Sequence, residues 1–127
     1  MENRIAELQQ LGQSVWLDFL SRDALRSGEL AGYIERGVVG MTSNPAIFEK
    51  SMAEGNAYDD DIKAQVKLGR STLEIYEALA LADIAAAADL LRPVFDKTNG
   101  LDGYVSIEVS PRLAYDTNGS IDEAKRL

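Results

Sequence analysis

Hydrophobic positions change their spacing several times along the chain, and each change predicts an element. Three short runs are rich in β-formers and are bounded by turn residues: 14–19 (SVWLDF), 38–43 (VVGMTS) and 104–109 (YVSIEV). Between them the apolar residues recur at helical spacing. Residues 2–11 predict a short amphipathic helix with Ile5, Leu8 and Leu11 on one side. Residues 22–36 predict a helix interrupted near Ser27-Gly28, with Leu25, Leu30 and Ile34 as core candidates and Gly37 just past its end. Pro45 suits the first turn of a new helix, and 46–96 are mostly helical. Within that stretch, 58–67 predicts one helix. A second starts at Ser71, where Ser71-x-x-Glu74 is a capping box, and along it Ile75, Leu79, Ile84, Ala88 and Leu91 keep roughly helical spacing. Pro93 is expected to end or kink it. Asn99-Gly100 and Asp102-Gly103 are turn signals, and Ser120-x-x-Glu123 predicts a last helix start.

The order β-α-β-α-β-α predicts an α/β fold with a parallel sheet. Side chains alternate across a strand, so Val15, Leu17 and Phe19 share one face with Val105, Ile107 and Val109 as their counterparts in the third strand. The opposite face holds Ser14, Trp16 and Asp18, then Tyr104, Ser106 and Glu108; in the second strand Val38, Gly40, Thr42 and Asn44 share a face. A doubly wound sheet buries both faces and wants apolar strands throughout. Here one face is apolar and the other turns polar toward the strand ends. That pattern suits a (β/α) barrel, whose strand C-termini open into an active-site mouth. The mouth then collects Asp18, Thr42, Asn44 and Glu108. Two carboxylates with a hydroxyl and an amide can move protons. They could also hold Mg²⁺, and either acid alone is as readily a solvated rim residue, but the two together beside Asn44 favour function. Trp16 reads as barrel filling, the YDDDIK segment as acids at the positive end of a helix, and ADIAAAAD as a face for close helix packing.

Composition narrows the chemistry. The chain has 127 residues, 46% hydrophobic and 27% charged, which fits one globular domain or a piece of one. A net charge of −8 argues against nucleic acid and against an anionic membrane surface as partners. Cysteine and histidine are both absent from the sequence. Disulfides, thiolate nucleophiles, histidine bases and metal sites built on either residue are thereby excluded. The start MENRIAELQQLGQ lacks the basic and apolar regions of a signal peptide, and no run approaches the roughly 20 apolar residues of a membrane span, so a cytoplasmic location is expected.

Four segments carry a family resemblance: QSVWLDFLSRD (13–23), GMTSNPAIFEK (40–50), ALADIAAAADLLRPVFD (80–96) and DGYVSIEVSPRLAYDT (102–117). Together they resemble the bacterial transaldolases, closest to the subgroup also found fused to glucose-6-phosphate isomerase, and the likeness covers essentially the whole chain. It implies a (β/α)₈ barrel of the class I aldolase type, of which residues 1–127 would be a single-domain N-terminal part: about the first three β/α units after a short helix. It also implies transfer of a dihydroxyacetone unit between sugar phosphates through a lysine Schiff base, in the pentose phosphate pathway, with no metal or other cofactor. By the resemblance, Asp18 is the acid/base at the bond being cleaved. Glu108 moves protons through a water, Thr42 orients that water, and Asn44 binds the dihydroxyacetone moiety. An iminium is an electron sink for the carbanion left by C–C cleavage, and such chemistry needs an amine and carboxylates but no histidine.

The resemblance places the Schiff-base lysine on the following strand, beyond Leu127. The five lysines present, Lys50, Lys63, Lys67, Lys97 and Lys125, lie outside the strand-like runs. The phosphate-binding residues are likewise expected in the second half. A barrel of this type takes about 250 residues, and the last helix has a start signal without a stop. The expectation is therefore a transaldolase segment inactive by itself. The alternative is a non-catalytic half-barrel that covers its open face with a second copy or another partner. A third possibility, a Mg²⁺-dependent phosphotransfer domain built on Asp18 and Glu108, lacks a further acidic ligand at the mouth.

Overall fold

The computed structural model describes residues 3–127. In chain order the elements are α1 (Arg4–Gln10), β1 (Trp16–Leu17), α2 (Arg22–Ser27), α3 (Glu29–Glu35), β2 (Gly40–Met41), α4 (Pro45–Ala53), α5 (Asp59–Lys67), α6 (Thr72–Lys97), β3 (Tyr104–Val105), a 3₁₀ turn (Pro111–Leu113) and α7 (Thr117–Arg126). Of the predicted first helix, Glu2 lies outside the described residues.

The three strands form one parallel sheet in the order β1-β2-β3. Each strand neighbours the next in sequence, the arrangement from which a barrel grows. The ladder extends slightly beyond the paired residues. Val39 N–H donates to Val15 O at 3.0 Å and Thr42 N–H to Leu17 O at 2.9 Å. Gly103 N–H donates to Val39 O at 2.8 Å and Ser106 N–H to Met41 O at 3.0 Å. The strands are shorter than the predicted six-residue runs. Beyond the ladder, side chains replace backbone partners: Ser43 Oγ donates to Ser106 O at 2.6 Å and Ser43 N–H to Ser106 Oγ at 3.3 Å. Such local serine bonds compete with regular pairing.

Register divides the sheet into two rows. Leu17, Met41 and Val105 are aligned and pack into the core with Leu20, Leu30, Phe48, Ala80, Ala87 and Leu91. Trp16, Gly40 and Tyr104 are aligned on the other face. There Trp16 and Tyr104 are 39% and 45% exposed, whereas Gly40 is buried. The indole covers Gly40 so closely that an added Cβ would lie 2.3 Å from a ring carbon. The alternation read from sequence is thus realised: the apolar row packs against the helices, while on the other face the Tyr104 ring meets Phe95, near the end of α6, edge-on at 5.5 Å. Phe19 and Ile107, expected on the apolar side, remain 37% and 41% exposed.

The helix ends follow local chemistry. Gly28 separates α2 from α3 at φ 82°, the predicted interruption. Past α3, Gly37 N–H donates to Ile34 O and Val38 N–H to Tyr33 O, a Schellman ending with Gly37 at φ 110°. The Ser71–Glu74 capping box is formed in both directions.

Several local details depart from the simplest reading of the sequence. Pro93 does not end α6, which runs on to Lys97; Pro93 and Asp89, whose carbonyl it leaves unpaired, are both exposed, so water can serve that oxygen. The last helix starts at Thr117, because the Asp116 carboxylate accepts from Gly119 N–H at 2.9 Å and pre-empts Ser120 as cap. On α6 the buried alanine is Ala87, not Ala88: the stripe Leu79, Asp83, Ala87, Leu91 steps by four residues. Along α1, Leu8 and Leu11 stay exposed, and the helix seats itself by Ile5 against Gly37.

Inside this apolar frame sits one charged cluster. Arg22 is buried and donates from Nε to Asp83 Oδ1 at 2.9 Å and from a terminal nitrogen to Asp61 at 2.5 Å. Its guanidinium lies 4.2 Å from the centre of the Tyr58 ring. Tyr58 donates its hydroxyl proton to Asp83 Oδ2 at 2.7 Å. The cluster ties α2, α5 and α6 together. Separately, Arg126 forks onto Glu77 and Glu123 and clips α7 to the start of α6. No helix among the described residues is long and apolar enough to cross a membrane.

The Trp16–Gly40 contact yields a direct test. Gly40→Ala forces a methyl into the indole and should destabilise the fold by about 1–3 kcal/mol, the usual cost of overpacking, as measured by urea denaturation followed by circular dichroism. An unchanged midpoint would mean that Trp16 leaves Gly40 at no cost.

Candidate functional site

Parallel pairing brings the C-terminal ends of β1 and β2 to one edge of the sheet. The pair Leu17–Met41 ends the register, so the next residues, Asp18 and Thr42, are neighbours there. Alternation puts them on the same face as Trp16 and Gly40. Thr42 Oγ1 donates to Asp18 Oδ1 at 2.5 Å. The threonine proton is committed to the carboxylate, which leaves the hydroxyl oxygen free to accept from a water or a substrate hydroxyl. Asp18 is exposed, and among the described residues no hydrogen bond engages its second carboxylate oxygen.

Asn44 follows two residues later and caps α4: its Oδ1 accepts from Ile47 N–H at 2.9 Å. Pro45 occupies the first helical position, where it gives up no hydrogen bond. With the amide oxygen engaged, what Asn44 has left to offer is the NH₂ group, a donor to an oxygen-bearing ligand.

Glu108 lies three residues past β3, beyond the end of the ladder, on irregular backbone. It borders a cavity of about 280 Å³ together with Asn44, Phe48, Tyr76, Ile84 and Ser110. The Tyr76 hydroxyl is held above its ordinary pKa, by burial first and by the negative charge of Glu108 second. Asp18 borders a different cavity of about 320 Å³, with Asp23, Ile47, Lys50, Ser51 and Glu54. The predicted four-residue mouth is therefore resolved into two parts: Asp18 and Thr42 in direct contact, Asn44 and Glu108 around a neighbouring cavity. Helix α4 borders both. A further cavity of about 550 Å³ lies at the opposite, N-terminal ends of the strands beneath α1. Among the described residues, no three acidic side chains group so as to hold a metal ion.

Two features escape a reading of the strands alone. Lys50 sits on α4 beside the Asp18 cavity, a cation among three carboxylates. The α4 start at Asn44-Pro45 was visible, but which way its second turn faces depends on packing. The Arg22–Tyr58–Asp83 cluster had one signal, an aspartate on the buried four-residue stripe of an alanine-rich helix. Its partners lie 61 and 25 residues away in sequence, and nothing local identifies them. All five lysines are exposed, and all lie on helices: Lys50 on α4, Lys63 and Lys67 on α5, Lys97 on α6 and Lys125 on α7.

Residues 15–127 match the profile of the family described as Transaldolase/Fructose-6-phosphate aldolase. Over 125 residues, 98% of this chain, the sequence is 54% identical to a protein named Transaldolase 2 from Nostoc sp. strain PCC 7120, of which the match covers 33%. Similar matches are the transaldolases of Thiobacillus denitrificans, 52% identical over 98% of the chain and 35% of the relative, and of Thermobifida fusca, 48% identical over 100% and 35%. The chain spans about a third of the length of these curated relatives.

Because Asn44 carries a structural duty as well as a free amide, its two roles separate by substitution. Asn44→Ala should lower stability by about 1 kcal/mol, whereas Asn44→Asp, an equally good cap, should leave it within about 0.5 kcal/mol while removing the amide donor. Paired denaturation curves check this, and equal losses for both variants would show that capping is not what Asn44 contributes.

Proposed function

Since this chain belongs to the transaldolase/fructose-6-phosphate aldolase family, we propose that it supplies the proton-transfer part of a transaldolase site. The whole protein would move a dihydroxyacetone unit from a ketose phosphate, sedoheptulose 7-phosphate or fructose 6-phosphate, to an aldose phosphate. In this reading residues 1–127 are the N-terminal part of one (β/α)₈ barrel domain, and the sugar-phosphate chemistry is completed by residues outside them.

The observation that carries the reading is the Thr42–Asp18 hydrogen bond at the C-terminal edge of two parallel strands. Barrel enzymes place their chemistry at that edge. A lysine amine attacks the ketose carbonyl, and water leaves as the iminium forms. Asp18 then takes the proton of the hydroxyl on the carbon beyond the bond to be broken. The C–C bond electrons pass into the iminium, an aldose phosphate departs, and an enamine remains on the lysine. Addition to a second aldose phosphate reverses these steps, with Asp18 returning the proton. Thr42 accepts from a water that serves in forming and hydrolysing the iminium, Glu108 would act on that water from the neighbouring cavity, and the Asn44 amide holds a dihydroxyacetone oxygen. In this reading the nucleophile lies outside these residues, and the exposed, helical setting of every lysine here supports it.

The exposed row of Trp16 and Tyr104 supports a covering partner, which in this reading is the remainder of the same barrel. A second copy of the chain would cover it equally well in the non-catalytic alternative. Light scattering of the 127-residue chain separates the two: a stable, tight homodimer favours the alternative.

The functional test uses borohydride trapping with fructose 6-phosphate. The protein carrying this segment at full length should yield a three-carbon adduct, and the 127 residues alone should yield none. In the full-length protein, Asp18→Asn should still form the six-carbon iminium but cleave it some 10²–10⁴-fold more slowly, so borohydride traps the intact hexose. Cleavage at the parent rate would remove Asp18 from the role of base; no adduct in the parent would refute the transaldolase reading.

A further inference from the structure

The turn that carries Asp18 is anchored from behind. Between Asp18 and the first residue of α2 there are only three residues, so the placement of Arg22 limits where Asp18 can lie. At the start of α2 the Ser21 side chain accepts from Ala24 N–H at 3.2 Å, the ordinary cap. The N–H of Arg22, at the first helical position, has no acceptor within the helix. It donates instead to the hydroxyl oxygen of Tyr58, at 3.1 Å, from the start of α5.

That hydroxyl is itself held in orientation. Its one proton goes to Asp83 Oδ2, and Asp83 Oδ1 accepts from Arg22 Nε. The bonds close a ring: Arg22 N–H to Tyr58, Tyr58 O–H to Asp83, and Arg22 side chain back to Asp83. Tyr58 is 2% exposed, Asp83 4% and Arg22 6%. Burial, and after it the hydrogen bond to Asp83, pushes the Tyr58 hydroxyl well above its usual pKa, so it keeps its proton. A second tie fixes the same turn, Ser51 Oγ donating to Leu20 O at 3.2 Å. Neither Tyr58 nor Asp83 borders the cavity next to Asp18.

Desolvating these charges is costly, and apolar side chains of like volume would join three helices at least as firmly. What apolar packing cannot do is fix a backbone N–H to one point. We infer that Tyr58 and Asp83 are positioning residues that set the β1–α2 turn and thereby hold Asp18 at the reacting hydroxyl. They touch no substrate and act only through that turn. The inference rests on the proton-transfer role proposed for Asp18.

Tyr58→Phe tests it in the full-length protein, because it removes the hydroxyl and keeps the ring under the Arg22 guanidinium. Hexose iminium formation and KM should stay within about twofold of the parent, while kcat and three-carbon adduct formation fall about tenfold, since a misplaced catalytic group loses cleavage before binding. Asp83→Asn keeps the side-chain shape and one acceptor oxygen. It should shift the same partition in the same direction, and it serves if the first variant does not fold. A lowered melting temperature with the parental ratio of six-carbon to three-carbon adduct would overturn the inference and leave the ring a purely structural brace. If Asp18→Asn itself showed the parental ratio, the role of Asp18 would fail instead, and the inference with it.

Discussion

A parallel strand ends at the wrong edge of the sheet for its successor, and the chain must cross back over a face before it can pair again. That constraint organises these residues. Each return carries helices across the sheet, α2 and α3 first, then α4 to α6, and they cover the face bearing Leu17, Met41 and Val105. Because every strand runs the same way, its C-terminal end reaches the same edge. Asp18 and Thr42 meet there as a consequence of register, without any sequence proximity. The opposite face keeps its aromatic row, and the edge between the two faces is where polar residues can work.

The strands, the helix break at Gly28, the α3 stop at Gly37 and the Ser71–Glu74 cap were legible because each is decided by neighbours in sequence. So was the alternation that assigns Leu17 and Trp16 to opposite faces. What was not legible depends on partners brought in from far along the chain. Asp83 falls on an apolar stripe and reads as an anomaly until Arg22 and Tyr58 arrive to satisfy it. Ser43 and Ser106 end the sheet early through bonds spanning 63 residues. Pro93 reads locally as a stop or a kink, and its exposed position on α6 lets the helix run on past it. The rival caps Asp116 and Ser120 are both residues that favour the position, and the choice between them moves a helix start by four residues.

The candidate site shows the same division. Asp18, Thr42, Asn44 and Glu108 can each be picked out as polar residues at or after strand ends. Their grouping cannot, because it turns on where regular pairing stops. Once the chain leaves the ladder after Ser106, Glu108 is free of the alternation that would aim it beside Asp18, and it borders the neighbouring cavity with Asn44 and Tyr76. Helix α4, started by Asn44 and Pro45, then becomes the wall between the two cavities, with Ile47 and Lys50 on the Asp18 side and Phe48 on the other.

Trp16 is the chain's only tryptophan, and it lies partly open on the face opposite the core, close over Gly40. Indole emission follows the polarity of its surroundings, so this one side chain is a built-in optical gauge of whether that face is wet or dry. Closing the sheet with further strands, pairing it with a second copy or leaving it bare would each give the ring a different environment. The assembly state of the molecule can thus be followed by its own ultraviolet fluorescence, with no label attached and no residue changed.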